Sequence, residues 1–308
     1  MTRFYISPDR RRGWLSRGQL YLTGLSLLTL LGCSTSPEAA ISPPAVLSRP
    51  GQPITAVAKA LATQPTTTPV LIGLALDYSG SIHDNHLPLV EINNLDPLFQ
   101  LLTERGGELA IALVCEDTSA SLLRMRVETQ PRITADQFVN PPEPIPLDEN
   151  INPIQRPQAL RDYAEASARH EELQAEDLQR LKAHNTALAA HRQAATNTVK
   201  AFREKVGPVL SQPANCQTTN LNGNLARLDL FLSEDSSSWP TSPRRVLIAV
   251  TDGLDTTGKA PAPLNSNPEI ALVNGSGSQG VLKNLPHKPF ENFSAALTYL
   301  IHSQNQHH

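Results

Sequence analysis

Apolar residues in this chain fall into short continuous runs, separated by stretches with one apolar helical face. Residues 70–76 (Val-Leu-Ile-Gly-Leu-Ala-Leu) form the first run, with the length and composition of a buried parallel strand. Residues 88–104 read as a helix. Val90, Leu95, Leu98, Phe99, Leu101 and Leu102 share one broad face, and Gly106-Gly107 is the stop. Residues 108–115 form a second strand and residues 121–128 a third. In the third, Leu122, Arg124, Arg126 and Glu128 alternate with Leu123, Met125 and Val127, the pattern of an edge strand wet on one face. The gap of five residues between the second and third strands is too short for a parallel crossover, so an antiparallel pair is expected.

Residues 129–156 are a proline-rich loop containing Pro131, Pro141, Pro142, Pro144, Pro146 and Pro153. Residues 157–206 then read as a long helix rich in Ala, Leu, Glu, Gln and Arg, closed by Gly207-Pro208. A heptad seam runs through Leu178, Leu181, Leu188, Ala195, Val199, Phe202 and Val206. Asn185 and Arg192 interrupt it, and it weakens before Leu173. About 50 residues make a rod of about 75 Å; the alternative is a helical hairpin bent near His184-Asn185-Thr186. Beyond it the pattern predicts a helix over 221–232, strands over 244–251 and 269–273, and a closing helix over 290–301. Strands alternating with helices predict an α/β fold: a doubly wound, mostly parallel sheet with one antiparallel edge strand, helices on both faces, and a long helical insertion over 129–210.

Charge separates the first 32 residues from the rest. Arg3, Arg10, Arg11, Arg12 and Arg17 against Asp9 give that segment +4, so the remaining 276 residues carry −7 of the total −3. A body without basic surplus argues against a nucleic-acid partner. The basic start is followed by an apolar stretch over 20–31, which suits a signal h-region better than a bilayer span. It ends Leu30-Leu31-Gly32-Cys33, which resembles the bacterial lipobox and implies lipidation of Cys33. The alternative is a short membrane anchor with an incidental cysteine. Arg11-Arg12-Gly13-Trp14-Leu15 also resembles a twin-arginine signal. Residues 33–69 read as a Pro/Ser/Thr-rich linker, with seven prolines over 34–69. As a coil those residues span roughly 33 Å, fitting a tether between a membrane and the globular part at 70–308. With Cys33 assigned to lipid, Cys115 and Cys216 remain. In an oxidising compartment two cysteines suggest one disulfide, with two buried thiols the alternative.

The candidate chemistry starts at Asp77-Tyr78-Ser79-Gly80-Ser81, directly after the first strand. One carboxylate and two hydroxyls at alternate positions on a turn can converge on a small hard cation. Oxygen-only ligands suit Mg²⁺ or Mn²⁺, not zinc. Two further stretches are expected at the same edge, the carboxyl ends of the strands. They are Cys216-Gln217-Thr218-Thr219-Asn220-Leu221, which opens a helix, and Thr251-Asp252-Gly253, after the most apolar strand. In these three stretches the chain resembles the von Willebrand factor A (VWA) family. Its metal-ion-dependent adhesion site (MIDAS) is D-x-S-x-S, a Thr in a later loop, and the Asp of T-D-G. The resemblance covers 70–308 apart from the insertion. It implies that Asp77, Ser79, Ser81, Thr219 and Asp252 are the metal ligands. Gln217-Thr218 stands where glycines are common, which leaves Thr218 a minor rival to Thr219.

Strand polarity, taken with that resemblance, also implies an orientation. The C-terminal part of the long helix, roughly 190–206, would pack on the sheet, burying Val199, Phe202 and Val206, while its N-terminal part overhangs the edge opposite the metal. Cys115 and Cys216 would meet at the metal edge as a disulfide. The expected function is a lipid-anchored, extracytoplasmic protein that binds a partner protein's carboxylate through Mg²⁺ or Mn²⁺, without catalysis. The alternative is a scaffold acting through its long helix, which would oligomerise or dock on an envelope complex. Other signals carry less. Gly275-Ser276-Gly277-Ser278-Gln279-Gly280 fits G-x-G-x-x-G, but Pro286 and Pro289 cut short the helix a nucleotide site needs, so it reads as a loop. His184 and His191 read as part of a solvated helix face, and His83, Asp84 and His86 as a polar helix start. Asp252 with Asp255 could be a hydrolytic carboxylate pair, but the strand-loop context assigns Asp252 to the metal.

Overall fold

The structure is a computed structural model that describes residues 67–80, 82, 88–115, 122–139, 141–148, 150–212, 216–234, 236–258, 263–274 and 281–302. The expected signal segment, Cys33, residues 34–66 of the expected linker, Ser81, His83, Asp84, His86 and residues 275–280 lie outside these residues.

The apolar run at Val70 becomes β1 (Val70–Asp77), every residue of it buried. A 3₁₀ turn (Ile92–Leu95) leads into α1 (Asp96–Arg105), followed by β2 (Gly107–Val114) and β3 (Leu123–Val127). The helix expected over 88–104 is therefore shorter. Residues 88–91 are not helical, and Pro97 sits at the first turn of α1, where its missing N–H is harmless. Gly106 and Gly107 both have positive φ (78° and 141°), and a Cβ on Gly107 would collide with the Val70 carbonyl. The remaining elements are α2 (Arg156–Leu210), α3 (Leu221–Leu232), β4 (Arg244–Val250), β5 (Glu269–Val273), β6 (Lys288–Phe290) and α4 (Phe293–His302). Strand β6 was not expected, and it displaces the start of the closing helix to Phe293. Its Pro289 fits an outermost strand, which needs no ladder N–H on its free side.

The six strands lie in the order β3-β2-β1-β4-β5-β6, all parallel except β3, which runs antiparallel to β2 at the edge. This is a Rossmann-like α/β arrangement. Alternate side chains of β1 feed two apolar layers on opposite faces. Val70, Ile72, Leu74 and Leu76 join α1, α4 and the C-terminal part of α2, through residues such as Leu98, Phe202, Val206 and Leu297. Leu71 and Ala75 join α3, through Leu221, Leu225 and Leu228.

The long helix is one continuous element of 55 residues, about 82 Å in length, not a hairpin. It also passes through Gly207-Pro208, which were expected to end it. Pro208 lies in the last turn, and Leu210 beyond it is buried (4% exposed). The Tyr78 hydroxyl donates to the Leu210 carbonyl at 3.0 Å, replacing a bond the ended helix cannot make. Core burial at Leu210 outweighs a stop signal one turn earlier.

The N-terminal part of α2 extends beyond the sheet, and the proline-rich segment lies along it. At the sheet edge the His191 Nε2–H donates to the Glu128 carbonyl (2.8 Å). Further out, Asp177 Oδ1 accepts from the Val139 amide (3.0 Å) and from Arg180 Nη1 (2.9 Å), and Phe138 and Leu181 are buried. Further still, the His170 Nδ1–H donates to the Pro142 carbonyl (2.9 Å). A carbonyl only accepts, so each ring nitrogen must carry the proton. His191 is thus an anchor, not part of a solvated face, and the proline-rich segment is a strap.

Candidate metal centre

The β1 register places Asp77 opposite Val114, and Leu76 opposite Val250. The carboxyl ends of β1, β2 and β4 therefore form one edge, at the point where strand order reverses between β1 and β4. Ligands of open α/β sheets bind there, because the connections diverge and leave a crevice.

Asp77 is 3% exposed. Its Oδ1 accepts from the Ser79 amide (2.9 Å) and its Oδ2 from the Thr251 hydroxyl (2.7 Å). Burial pushes its pKa above the usual carboxylate value. Hydrogen bonds from Ser79 and Thr251 oppose that rise, and the nearby Asp252 charge adds to it. Thr251, fully buried, also accepts from the Gly253 amide (3.0 Å), and Gly253 takes a positive φ of 86° to turn the chain. Asp252 points one oxygen along its own loop, where Oδ1 accepts from the Leu254 amide (3.0 Å). Its Oδ2 is buried with no hydrogen-bond partner among the described residues. A buried carboxylate oxygen without a donor is costly, so its natural complement is a cation or a water held by one.

The Thr loop reaches the same edge by two routes. The Cys216 amide donates to the Tyr78 carbonyl (3.3 Å), and the Gly80 amide donates to the Cys216 carbonyl (2.9 Å), pairing Cys216 with Ser79. Cys216 is also joined to Cys115, just past β2, by a disulfide with Cα atoms 5.5 Å apart. Thr219, 3% exposed, follows three residues later, and Asn220 caps α3 by accepting from the Gly223 amide (3.0 Å). The Thr218 hydroxyl is likewise buried, with no partner among the described residues.

Ser79 thus bonds Asp77 directly, Asp252 lies near enough for its charge to act on Asp77, and Thr219 is brought in through the turn after β4. The Thr219 amide donates to the Thr256 hydroxyl (2.8 Å), and the Thr256 amide returns a bond to the Thr219 carbonyl (3.0 Å). Asp255 Oδ2 accepts from the Asn222 amide (2.8 Å) in the first turn of α3, so it is engaged there as a cap. Sequence reasoning missed Thr251, Asp255 and Thr256 as supports. The signal available was the run Asp255-Thr256-Thr257, one residue after T-D-G, three side chains able to bond local amides.

Two carboxylates with Ser79 and Thr219 are an oxygen-only set whose chemistry fits Mg²⁺ or Mn²⁺. Among the described residues no three of His, Cys, Asp and Glu come together as a metal-holding group. A set resting on two carboxylates and hydroxyls is of a different kind. No helix among the described residues is long and apolar enough to cross a membrane.

No protein-family model matches the chain, and no curated protein matches it. Among solved structures it is similar to the pilus adhesin SpaC from Lactobacillus rhamnosus GG in its open conformation, at 12% identity and a TM-score of 0.34. The likeness covers 79% of this chain and 30% of that one, and is too distant to bear on function.

Proposed function

We propose that Asp77, Ser79, Ser81, Thr219 and Asp252 hold a Mg²⁺ or Mn²⁺ ion, and that the chain is a VWA-type binding protein with a doubly wound sheet. It would be lipid-anchored through Cys33 and extracytoplasmic, and would take a carboxylate of a protein partner without catalysing a reaction. The observation that carries the reading is Asp252 Oδ2, buried without a donor among the described residues, with its charge acting on the desolvated Asp77 carboxylate. When bound, the ion would supply a positive charge with an open coordination position for the partner's carboxylate. The residues do the rest. Thr251 and the Ser79 amide orient Asp77, the Gly253 turn aims Asp252 inward, and the Cys216 pairing fixes the Ser79 backbone.

The test is thermal unfolding with and without metal. At free Mg²⁺ or Mn²⁺ one hundred times its Kd, binding to the native state adds about 2.7 kcal/mol. For a domain of about 240 residues that is about 5 °C in Tm. Asp252→Ala should abolish the shift. An identical response of wild type and Asp252→Ala, or none in wild type, would sink the reading.

The second reading, a scaffold working through α2, is favoured by the 35 helical residues beyond His191, about 52 Å of rod outside the sheet. Partner capture that survives EDTA and Asp77→Ala, but is lost on deletion of residues 157–189, would select it.

A further inference from the structure

Thr256 and Asp255 are not among the expected ligands, yet they hold the one ligand segment that comes from neither β1 nor β4. The Thr219–Thr256 pair is reciprocal: an amide to a hydroxyl at 2.8 Å one way, an amide to a carbonyl at 3.0 Å the other. Three residues on, Asp255 bonds the Asn222 amide (2.8 Å) while its other oxygen bonds the Thr257 amide (2.9 Å), so Asp255 is fixed by its own loop before it fixes α3. On the opposite side, Cys216 is held by the disulfide and by the backbone of Tyr78 and Gly80. The Thr219 segment is therefore clamped at both ends. Its far clamp belongs to the turn that carries Asp252, so Thr256 ties the Thr219 segment to that turn.

We propose that Thr256 is a positioning residue that sets the cation affinity of this site by fixing Thr219 relative to Asp252, with Asp255 acting on the same helix start. The proposal rests on the metal-centre reading above. Thr256 is exposed and uncharged, so replacing it changes neither the core nor the charge of the site. Outer supports that orient ligands typically change metal affinity by about 10- to 100-fold when removed.

The experiment is titration of the full chain with Mn²⁺ alone, followed by calorimetry, for wild type, Thr256→Val and Thr256→Ser. Thr256→Val removes the hydroxyl that accepts the Thr219 amide, and Mn²⁺ should bind about tenfold or more weakly. Thr256→Ser keeps the hydroxyl and should bind within about threefold of wild type. Tm in EDTA should be nearly the same for all three, which separates positioning from folding. Asp255→Ala should weaken Mn²⁺ in the same direction. Equal Mn²⁺ affinity in Thr256→Val and wild type would overturn the proposal while leaving the metal centre standing. Equal weakening in Thr256→Ser and Thr256→Val would also overturn it, since the hydroxyl would then be irrelevant. Failure of wild type to bind Mn²⁺ would remove the metal-centre reading and the proposal together.

Discussion

Removing the disulfide between Cys115 and Cys216 should weaken the fold by an amount that can be worked out. The two cysteines are 101 residues apart in sequence. In the chain-entropy account, a cross-link closing a loop of that size removes unfolded-state freedom worth about 4.7 kcal/mol at 25 °C. Unfolding entropy near 2.1 cal/mol/K per residue gives a domain of about 240 residues about 0.5 kcal/mol per degree. The double variant Cys115→Ala/Cys216→Ala should therefore melt about 9 °C below wild type. The backbone bonds of Cys216 to Tyr78 and Gly80 survive the substitution, so the loss should come mainly from the unfolded state. Scanning calorimetry on both proteins, in a Cys33→Ser background to keep lipid out of the comparison, measures it. A double variant melting within 2 °C of wild type (roughly 1 kcal/mol) would refute the argument, as would two titratable thiols in native wild-type protein under oxidising conditions.

Other perturbations have expected outcomes of their own. Phe202→Ala should cost about 3–5 kcal/mol by denaturant unfolding, because Phe202 is 4% exposed and packs edge-on against Phe99 with ring centroids 6.1 Å apart. Gly107→Ala should destabilise by more than about 1 kcal/mol, since the added methyl meets the Val70 carbonyl at a backbone angle only glycine adopts readily. Arg124→Ala removes a two-pronged pairing with Glu234 and a bond to Glu108. These groups are partly solvated, so chemical unfolding should register only about 1 kcal/mol. His184 is lowered below its usual pKa of 6.5 by burial. Its neutral form therefore favours the fold: that contribution is complete above 6.5 and is lost as pH falls from 6.5 through the folded value. His184→Gln should flatten the fall in Tm over that interval.

The sheet was legible because buried parallel strands are continuous apolar runs, and Val70–Asp77 and Arg244–Val250 are almost uninterrupted. The third strand was legible for the opposite reason, its alternation. Strand β6 was not, because three residues with a central proline carry no period. The end of α2 was missed because Leu210 gains more from burial than Gly207-Pro208 loses in the last turn. The strap was hidden by kind: a proline-rich segment has no periodicity, and its anchors are single residues (His170, Asp177 and His191) spread along a mostly polar helix. At the candidate site, the order of D-Y-S-G-S, the Thr loop and T-D-G was readable, and the chain folds those segments to one edge. The clamps among them were not, since Thr251 and Asp77 are 174 residues apart and nothing in a linear pattern pairs them.

The strap has a consequence for how α2 opens. From Ala195 to Leu210 the helix is part of the core. Between His170 and His191 its side chains hold the strap. The 14 residues from Arg156 to Arg169 precede the His170 anchor and are mostly exposed, and an isolated helix of that length is only marginally stable in water. Amide hydrogen exchange along this one unbroken helix should therefore fall into three zones. Exchange should be fast before His170, limited by release of the strap between His170 and His191, and as slow as global unfolding from Ala195 onward.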